Sequence, residues 1–447
     1  MNRSIVLMLL VAAVVQPALA QPAPVEPGPA GPEPKPAAAS PDDLSKAADA
    51  ASELAGVPAA APGPKASSDD IDLSSLGLDP SANAFDDKLN IYGYLDLAYK
   101  AQHWFRPPLI QQQDERGFST GNINLYLAKN ASPKARLLVE VQFSFLPNGA
   151  PNADGSFAST NVIDPANDNI ATRWGSIVIQ RAYLEYDLAE HLTLRAGHWL
   201  TPYGIWNTDH GSPVILPTSR PYIIDQELFP QHQTGFELFG SHTASNFKLN
   251  YHATMSNGRG DTEAQLDLDK KLAFGGRLEL ETPWGVKAGA SYYRGRYTGL
   301  PAAPGAAPPT YREEAYGGDA QFDHAGLHLQ SELSVRVRHY GTAEAAAIAT
   351  SEPTSSADPS DFGFYVLAGY RFDMLWNVMP FGYYQYYRAA DHALYETINS
   401  QTAGLNFRPS GGMVFKLQGT RGRVGDGGGL LAGILIYQFA AQAAWVF

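Results

Sequence analysis

Residues 327–339 read LHLQSELSVRVRH, and this stretch decides the fold. In an extended chain, Leu327, Leu329, Leu333, Val335 and Val337 fall on one side, with His328, Gln330, Glu332, Ser334, Arg336 and Arg338 on the other. Residues 247–255 repeat the pattern. There Phe247, Leu249, Tyr251, Ala253 and Met255 alternate with Lys248, Asn250, His252 and Thr254. A strand of a water-soluble sandwich can alternate in this way. A series of segments of about ten residues, each bounded by turn residues, is instead the signature of a transmembrane β-barrel.

Working outward, strands are expected near 89–99, 120–129, 135–145, 176–187, 192–199, 234–241, 247–256, 271–281, 286–294, 314–323, 327–339, 362–373, 378–388, 398–408, 413–421 and 431–447. Short connections with turn chemistry at 130–133, 282–285, 324–326 and 409–412 alternate with long ones at 100–119, 146–175, 200–233, 257–270, 295–313, 340–361, 389–397 and 422–430. Short periplasmic turns and long outer loops are what such a barrel requires. Both termini then lie on the periplasmic side, so the strand count is even. The expectation is an all-β, antiparallel barrel of about sixteen strands.

The ends of the chain agree. Residues 1–20 read as an export signal, with Arg3, an apolar run from Ile5 to Val15, and Ala18-Leu19-Ala20 as a small-residue cleavage site. That run is too short to span a bilayer as a helix. Residues 21–85 are dominated by Pro, Ala, Ser and Asp, and read as a disordered periplasmic arm with one short helix at Pro41–Ala55. The barrel occupies 86–447. In its last strand Tyr437, Phe439, Trp445 and Phe447 share one face. This ending resembles that of bacterial outer-membrane proteins, whose terminal phenylalanine is read by the outer-membrane assembly machinery. The resemblance makes Phe447 an assembly signal and the bacterial outer membrane the expected location, reached through the periplasm.

The chain has no cysteine, which excludes disulfide scaffolds, thiol catalysis and zinc–thiolate sites. A net charge of −13 argues against a nucleic-acid partner. The expected partners are outer-membrane lipids and small hydrophilic solutes, with no cofactor and no metal. Sixteen strands enclose more volume than side chains fill, leaving a water-filled lumen. The polar faces supply inward cations at Arg136, Arg181, Arg195, Lys248, Arg277, Lys287, Arg336, Arg338, Arg371, Arg408 and Lys416. The inward acids are Asp96, Glu140, Glu185, Glu237, Glu279, Glu281, Asp319, Asp323 and Glu332. Arg181, Arg195, Arg336, Arg338, Glu185 and Glu332 are the lumen-lining candidates. Cross-strand wall pairing is the simpler role for any one of them.

Residues 200–233 contain LTPYGIWNTDHGSPVILPTSRPYIIDQELFPQ, a long connection too apolar to be left in water. Packed inside the lumen it forms a constriction, with Asp209, His210, Arg220, Asp225 and Glu227 as the side chains a solute meets. Packing on the rim or against a neighbouring subunit is the alternative. The runs Gln180-Arg-Ala-Tyr-Leu-Glu-Tyr-Asp187 and Leu194-Arg-Ala-Gly-His-Trp-Leu-Thr-Pro-Tyr-Gly-Ile205 resemble a strand-turn-strand of the phosphate-selective porin O/P group. That resemblance covers residues 176–240. It implies a passive pore, a folded-in loop, a homotrimer, and anion selection by arginine at the constriction and a ladder of lysines. Arg220 is the one arginine or lysine of the loop, and no lysine ladder is visible.

Two rival classes leave traces. A barrel enzyme needs a nucleophile with a base in reach, and Asn207–Ser212 gathers Asp209, His210 and Ser212, while His324 and His328 flank a periplasmic turn. An adhesion or scaffold barrel is suggested by Arg259-Gly260-Asp261, and Asp261, Glu263, Asp267 and Asp269 offer hard oxygen ligands for calcium.

Overall fold

The computed structural model describes residues 88–105, 113–144, 176–208, 211–260, 267, 269–299, 310–340, 359–373, 376–390, 396–409, 412–425 and 431–447. The signal and arm expected at 1–85, the connection at 146–175, and Asp209, His210, Asp261 and Glu263 lie outside the described residues.

Sixteen long strands follow one another around a closed antiparallel barrel. They are β1 (Leu89–Phe105), β2 (Gln113–Ser132), β3 (Ala135–Ser144), β4 (Ser176–Ala189), β5 (Leu192–Leu200), β6 (His232–Ala244), β7 (Phe247–Ser256), β9 (Ala273–Glu281), β10 (Val286–Thr298), β11 (Thr310–His324), β12 (Leu327–His339), β13 (Ser360–Tyr370), β14 (Met379–Arg388), β15 (Thr397–Phe407), β16 (Met413–Val424) and β17 (Leu435–Val446). A two-residue β8 (Arg259–Gly260) within the expected 257–270 connection lies parallel to β10 at Tyr297 and Thr298. The helix α1 (Tyr222–Asp225) belongs to the connection between β5 and β6.

Closure is made by β17 against β1, in register from Tyr94↔Val446 to Phe105↔Leu435. Phe447 completes it. Its N–H donates to the Gly93 carbonyl, and the Gly93 N–H donates to the Phe447 carbonyl, both at 2.9 Å. Closure removes both sheet edges, so no strand backbone is left unpaired where lipid could not satisfy it.

The pleat sorts the side chains inside out relative to a soluble protein. On β12, Leu333 is 50% exposed and its neighbour Glu332 is 3% exposed. The outer face carries Leu405, Leu417, Phe415 and Trp445, and the inner face Asn406, Lys416 and Gln418. This apolar belt is the surface of a barrel that sits in lipid. Hairpins at one end are tight. Ser245-Asn246 and Ala325-Gly326 each take positive φ at both central positions (48° and 72°, 48° and 83°), which matches the right-handed twist of the flanking strands.

Several expected boundaries move. The connection placed at 100–119 is largely strand, because β1 runs to Phe105 and β2 begins at Gln113. Those segments are mostly polar, with Trp104, Phe105 and Phe118 as isolated aromatics. At the membrane surface and above it a ladder needs only backbone pairing, so apolar alternation does not report it. The last strand begins at Leu435 rather than 431, because Leu431 and Ile434 turn inward against Val424.

Candidate functional site

The connection from Thr201 to Gln231 enters the lumen. Its hydrogen bonds reach strands around the circumference, which is geometrically possible only from inside. The Gly204 N–H donates to Ser291 on β10 at 3.3 Å, and the Trp206 N–H to Glu332 on β12 at 2.8 Å. The Ser212 hydroxyl donates to Asp96 on β1 at 2.5 Å. The Thr218 N–H donates to Gln418 on β16, and the Tyr222 N–H to Gln385 on β14, both at 2.8 Å. In the other direction, Arg408 donates to the Val214 carbonyl at 2.9 Å, Lys416 to that of Pro217 at 3.0 Å, and Arg336 to that of Glu227 at 2.9 Å.

Sequence explains why this segment folds inward. Trp206, Ile223 and Leu228 pack against Tyr365, Leu367, Phe381, Tyr383 and Tyr387 on β13 and β14. Tyr203 packs with Phe229 and Tyr293, and its hydroxyl lies 2.7 Å from Thr254 on β7. Burying a large apolar side chain contributes about 1.5–3 kcal/mol, so these anchors offset the cost of ordering a loop. Pro221 presets φ at −64° before α1. The helix has no side-chain cap, and Gln385 accepts the exposed Tyr222 N–H in its place. Gly204 adopts φ +77° directly over Glu332, and a Cβ there would lie 2.0 Å from the carboxylate.

Arg220, Asp225 and Glu227 lie on this lumen-crossing segment. Asp225, Gln226 and Glu227 are exposed to lumen water, and Arg220 is half-buried, donating to Gln231 at 3.4 Å. The walls crowd Asp225 although one side meets water. The displaced solvent pushes its pKa up to about 6, with Arg220 and Lys100 opposing. Glu227, at φ 46°, is tied down through its carbonyl by Arg336 and Arg259.

The six lumen-lining candidates all point inward but are occupied. Arg181 bonds Glu140 at 2.6 Å. Arg195 lies between Glu185 at 2.7 Å and Glu237 at 2.6 Å. Arg336 and Arg338 share Asp361 at 2.7 and 2.9 Å. Glu332 accepts from the Tyr365 hydroxyl at 2.5 Å as well as from Trp206. Arg277 pairs with Asp319 and Glu279. While Glu332 and Asp96 are held by neutral donors, most of the wall charges are thus neutralised in clusters. Opposite them, Arg408 and Lys416 on the β15–β16 side donate to loop carbonyls and have no carboxylate partner among the described residues.

Sequence reading missed Asp361 and Glu313 and named Arg259 only within Arg259-Gly260-Asp261; in β8 it forms an ion pair with Glu313. Asp361 was detectable: alternation carried one residue back from Phe362 puts it inward. The pairing of Arg259 with Glu313 was not, because it depends on the β8–β10 crossover. Traces of the rival classes fare as follows. Ser212 bonds Asp96, while His328 bonds Asp323 beside its turn. Asp267 and Asp269 accept the backbone N–H groups of Lys270 and Lys271.

Solved barrels share this fold. An anion-selective porin from Comamonas acidovorans superposes with a TM-score of 0.54 at 10% identity, covering 80% of this chain and 99% of that one. The outer membrane channel DcaP of Acinetobacter baumannii superposes at 0.49 and 10% identity, covering 82% and 100%. Salmonella typhi OmpF, in complex with daunomycin, gives 0.48 and 13%, covering 81% and 98%. No protein-family profile matches the chain. By sequence, an uncharacterised protein of Aquifex aeolicus (strain VF5) is 26% identical over 132 residues, 27% of this chain and 30% of that protein. The match therefore spans under a third of the relative's length. The chain folds as a closed sixteen-strand barrel of the kind found in outer-membrane porins, with one long loop drawn through its lumen.

Proposed function

We propose that the protein is an outer-membrane porin, exported through the periplasm, through which small hydrophilic solutes diffuse passively with a preference for anions. The loop of residues 200–233 narrows the passage, and Arg220, Asp225 and Glu227 are the side chains a solute passes. One observation carries the anion preference. Arg220, half-buried on the loop, donates to the neutral Gln231 at 3.4 Å, whereas Arg181, Arg195, Arg336 and Arg338 of the wall are bound by carboxylates. A cation facing a confined passage raises the local concentration of anions. The homotrimer implied by the porin resemblance belongs to the same proposal.

Purified protein in a planar bilayer is expected to give stepwise conductance, with a reversal potential in asymmetric KCl on the anion-preferring side. A bilayer without steps would remove the pore. Arg220→Ala is expected to move the reversal potential towards zero, and an unchanged value would take Arg220 out of the constriction.

A further inference from the structure

The outer face of the barrel is not uniform. Where β15, β16, β17, β1 and β2 meet, a groove of about 730 Å³ opens on the lipid side. Its floor is Ala101, Ala403 and Gly419, positions without a side chain beyond a methyl group. Cross-strand registers order its rows. Gln401, Arg421 and Tyr437 form one row, and Ala403, Gly419, Phe439, Ala101 and Arg116 the next. The row after that, with Leu405, Leu417 and Phe118, is apolar.

Arg116 and Arg421 both face outward and are exposed, and neither has a carboxylate partner among the described residues. An arginine on the lipid face is costly at mid-membrane and nearly free at the interface. The rows holding them therefore lie at the head-group level. That end of the barrel carries the long connections, which places it in the outer leaflet. Tyr437 and Phe105, ring centroids 5.5 Å apart, mark the same level as interfacial aromatics.

We infer that this groove binds a phosphorylated glycolipid of the outer leaflet, with Arg421 and Arg116 on its phosphates and its acyl chains along the apolar rows below. The two arginines stand three strand spacings apart, about 14 Å. A diphosphorylated head group spans such a gap, and guanidinium is suited to holding phosphate in bidentate fashion. A second copy of the chain is the rival occupant. A two-fold contact through this face would set Arg116 and Arg421 near their own counterparts, and the oligomeric mass read in the test decides for or against a contact of any other symmetry. The inference rests on the outer-membrane placement proposed above and not on permeation, so the conductance measurement can fail without affecting it.

The test uses the full chain, folded in detergent and titrated with purified lipid A, with native mass spectrometry reading both lipid adducts and oligomeric mass. A one-to-one adduct is expected, weakened about tenfold by removing the phosphates from the lipid or by the double change Arg116→Gln with Arg421→Gln. Gly419→Trp is expected to abolish the adduct while keeping the fold, since a Cβ at Gly419 meets nothing within 4 Å. Equal binding of lipid A by the wild type and both variants would overturn the inference. So would equal binding of the dephosphorylated lipid. An oligomer that Gly419→Trp breaks, with no lipid adduct on the wild type, would give the groove to a second copy instead.

Discussion

The carboxylate of Glu332 on β12 accepts the backbone N–H of Trp206 at 2.8 Å, a contact between residues 126 apart in sequence that holds the loop inside the barrel. The same carboxylate takes the Tyr365 hydroxyl and lies beneath Gly204. A hydrogen bond contributes about 0.5–1.5 kcal/mol, and Glu332→Ala removes two. The expected outcome is a loosened loop, read in single-channel records as larger and noisier conductance with the barrel intact by circular dichroism. Gly204→Ala is expected to do the same by pushing a Cβ at the carboxylate. Quiet, wild-type currents from both variants would mean that the loop is held elsewhere.

Arg195 is buried between Glu185 and Glu237, with its guanidinium carbon 4.5 Å from the Tyr183 ring centroid. Arg195→Ala leaves Glu185 with Arg136 at 3.0 Å and Glu237 with His252 at 2.8 Å but removes the cation between them. Breaking a buried ion pair costs about 3–5 kcal/mol. A urea midpoint lower in proportion is expected, partly recovered by adding Glu237→Gln. If the single variant unfolds at the wild-type midpoint, water is already screening the cluster.

Asp225 has its pKa raised to about 6 by the surrounding walls. A raised carboxylate is ionised above that value and neutral below it. Between pH 7 and pH 5 the constriction therefore loses a negative charge, and anion preference is expected to rise. Asp225→Asn should show the low-pH selectivity at every pH. Identical pH profiles for variant and wild type would place Asp225 off the solute's path.

Phe447 closes the barrel through its backbone and presents its ring on the outer face, 59% exposed. Phe447→Ala keeps both hydrogen bonds to Gly93. It is expected to lower the amount of protein reaching the outer membrane in cells, while protein refolded in detergent keeps its heat-modifiable gel shift. Loss of the gel shift in vitro would make the residue structural rather than an address.

How much was legible beforehand follows from period. Strands crossing the membrane alternate because lipid and lumen impose opposite demands on successive residues, so β12 and β7 could be read directly. The upper parts of β1 and β2 could not, since at the membrane surface no hydrocarbon imposes alternation on them. The wall acids and bases were also legible as an inward set, but their partners were not. Arg336 and Arg338 converge on Asp361, one residue before the expected start of its strand.

By itself, the sequence determined a closed, even-stranded barrel with an apolar exterior and a terminal strand ending on Phe447, because those features are written in nearest-neighbour alternation and turn spacing. It also marked residues 200–233 as a segment that had to be buried. Only the tertiary structure decided where. Burial site, anchors and partners depend on contacts such as Trp206 with Glu332 and Pro217 with Lys416, separated by more than a hundred residues. Which wall charges are cancelled and which remain depends equally on registers that no local pattern encodes.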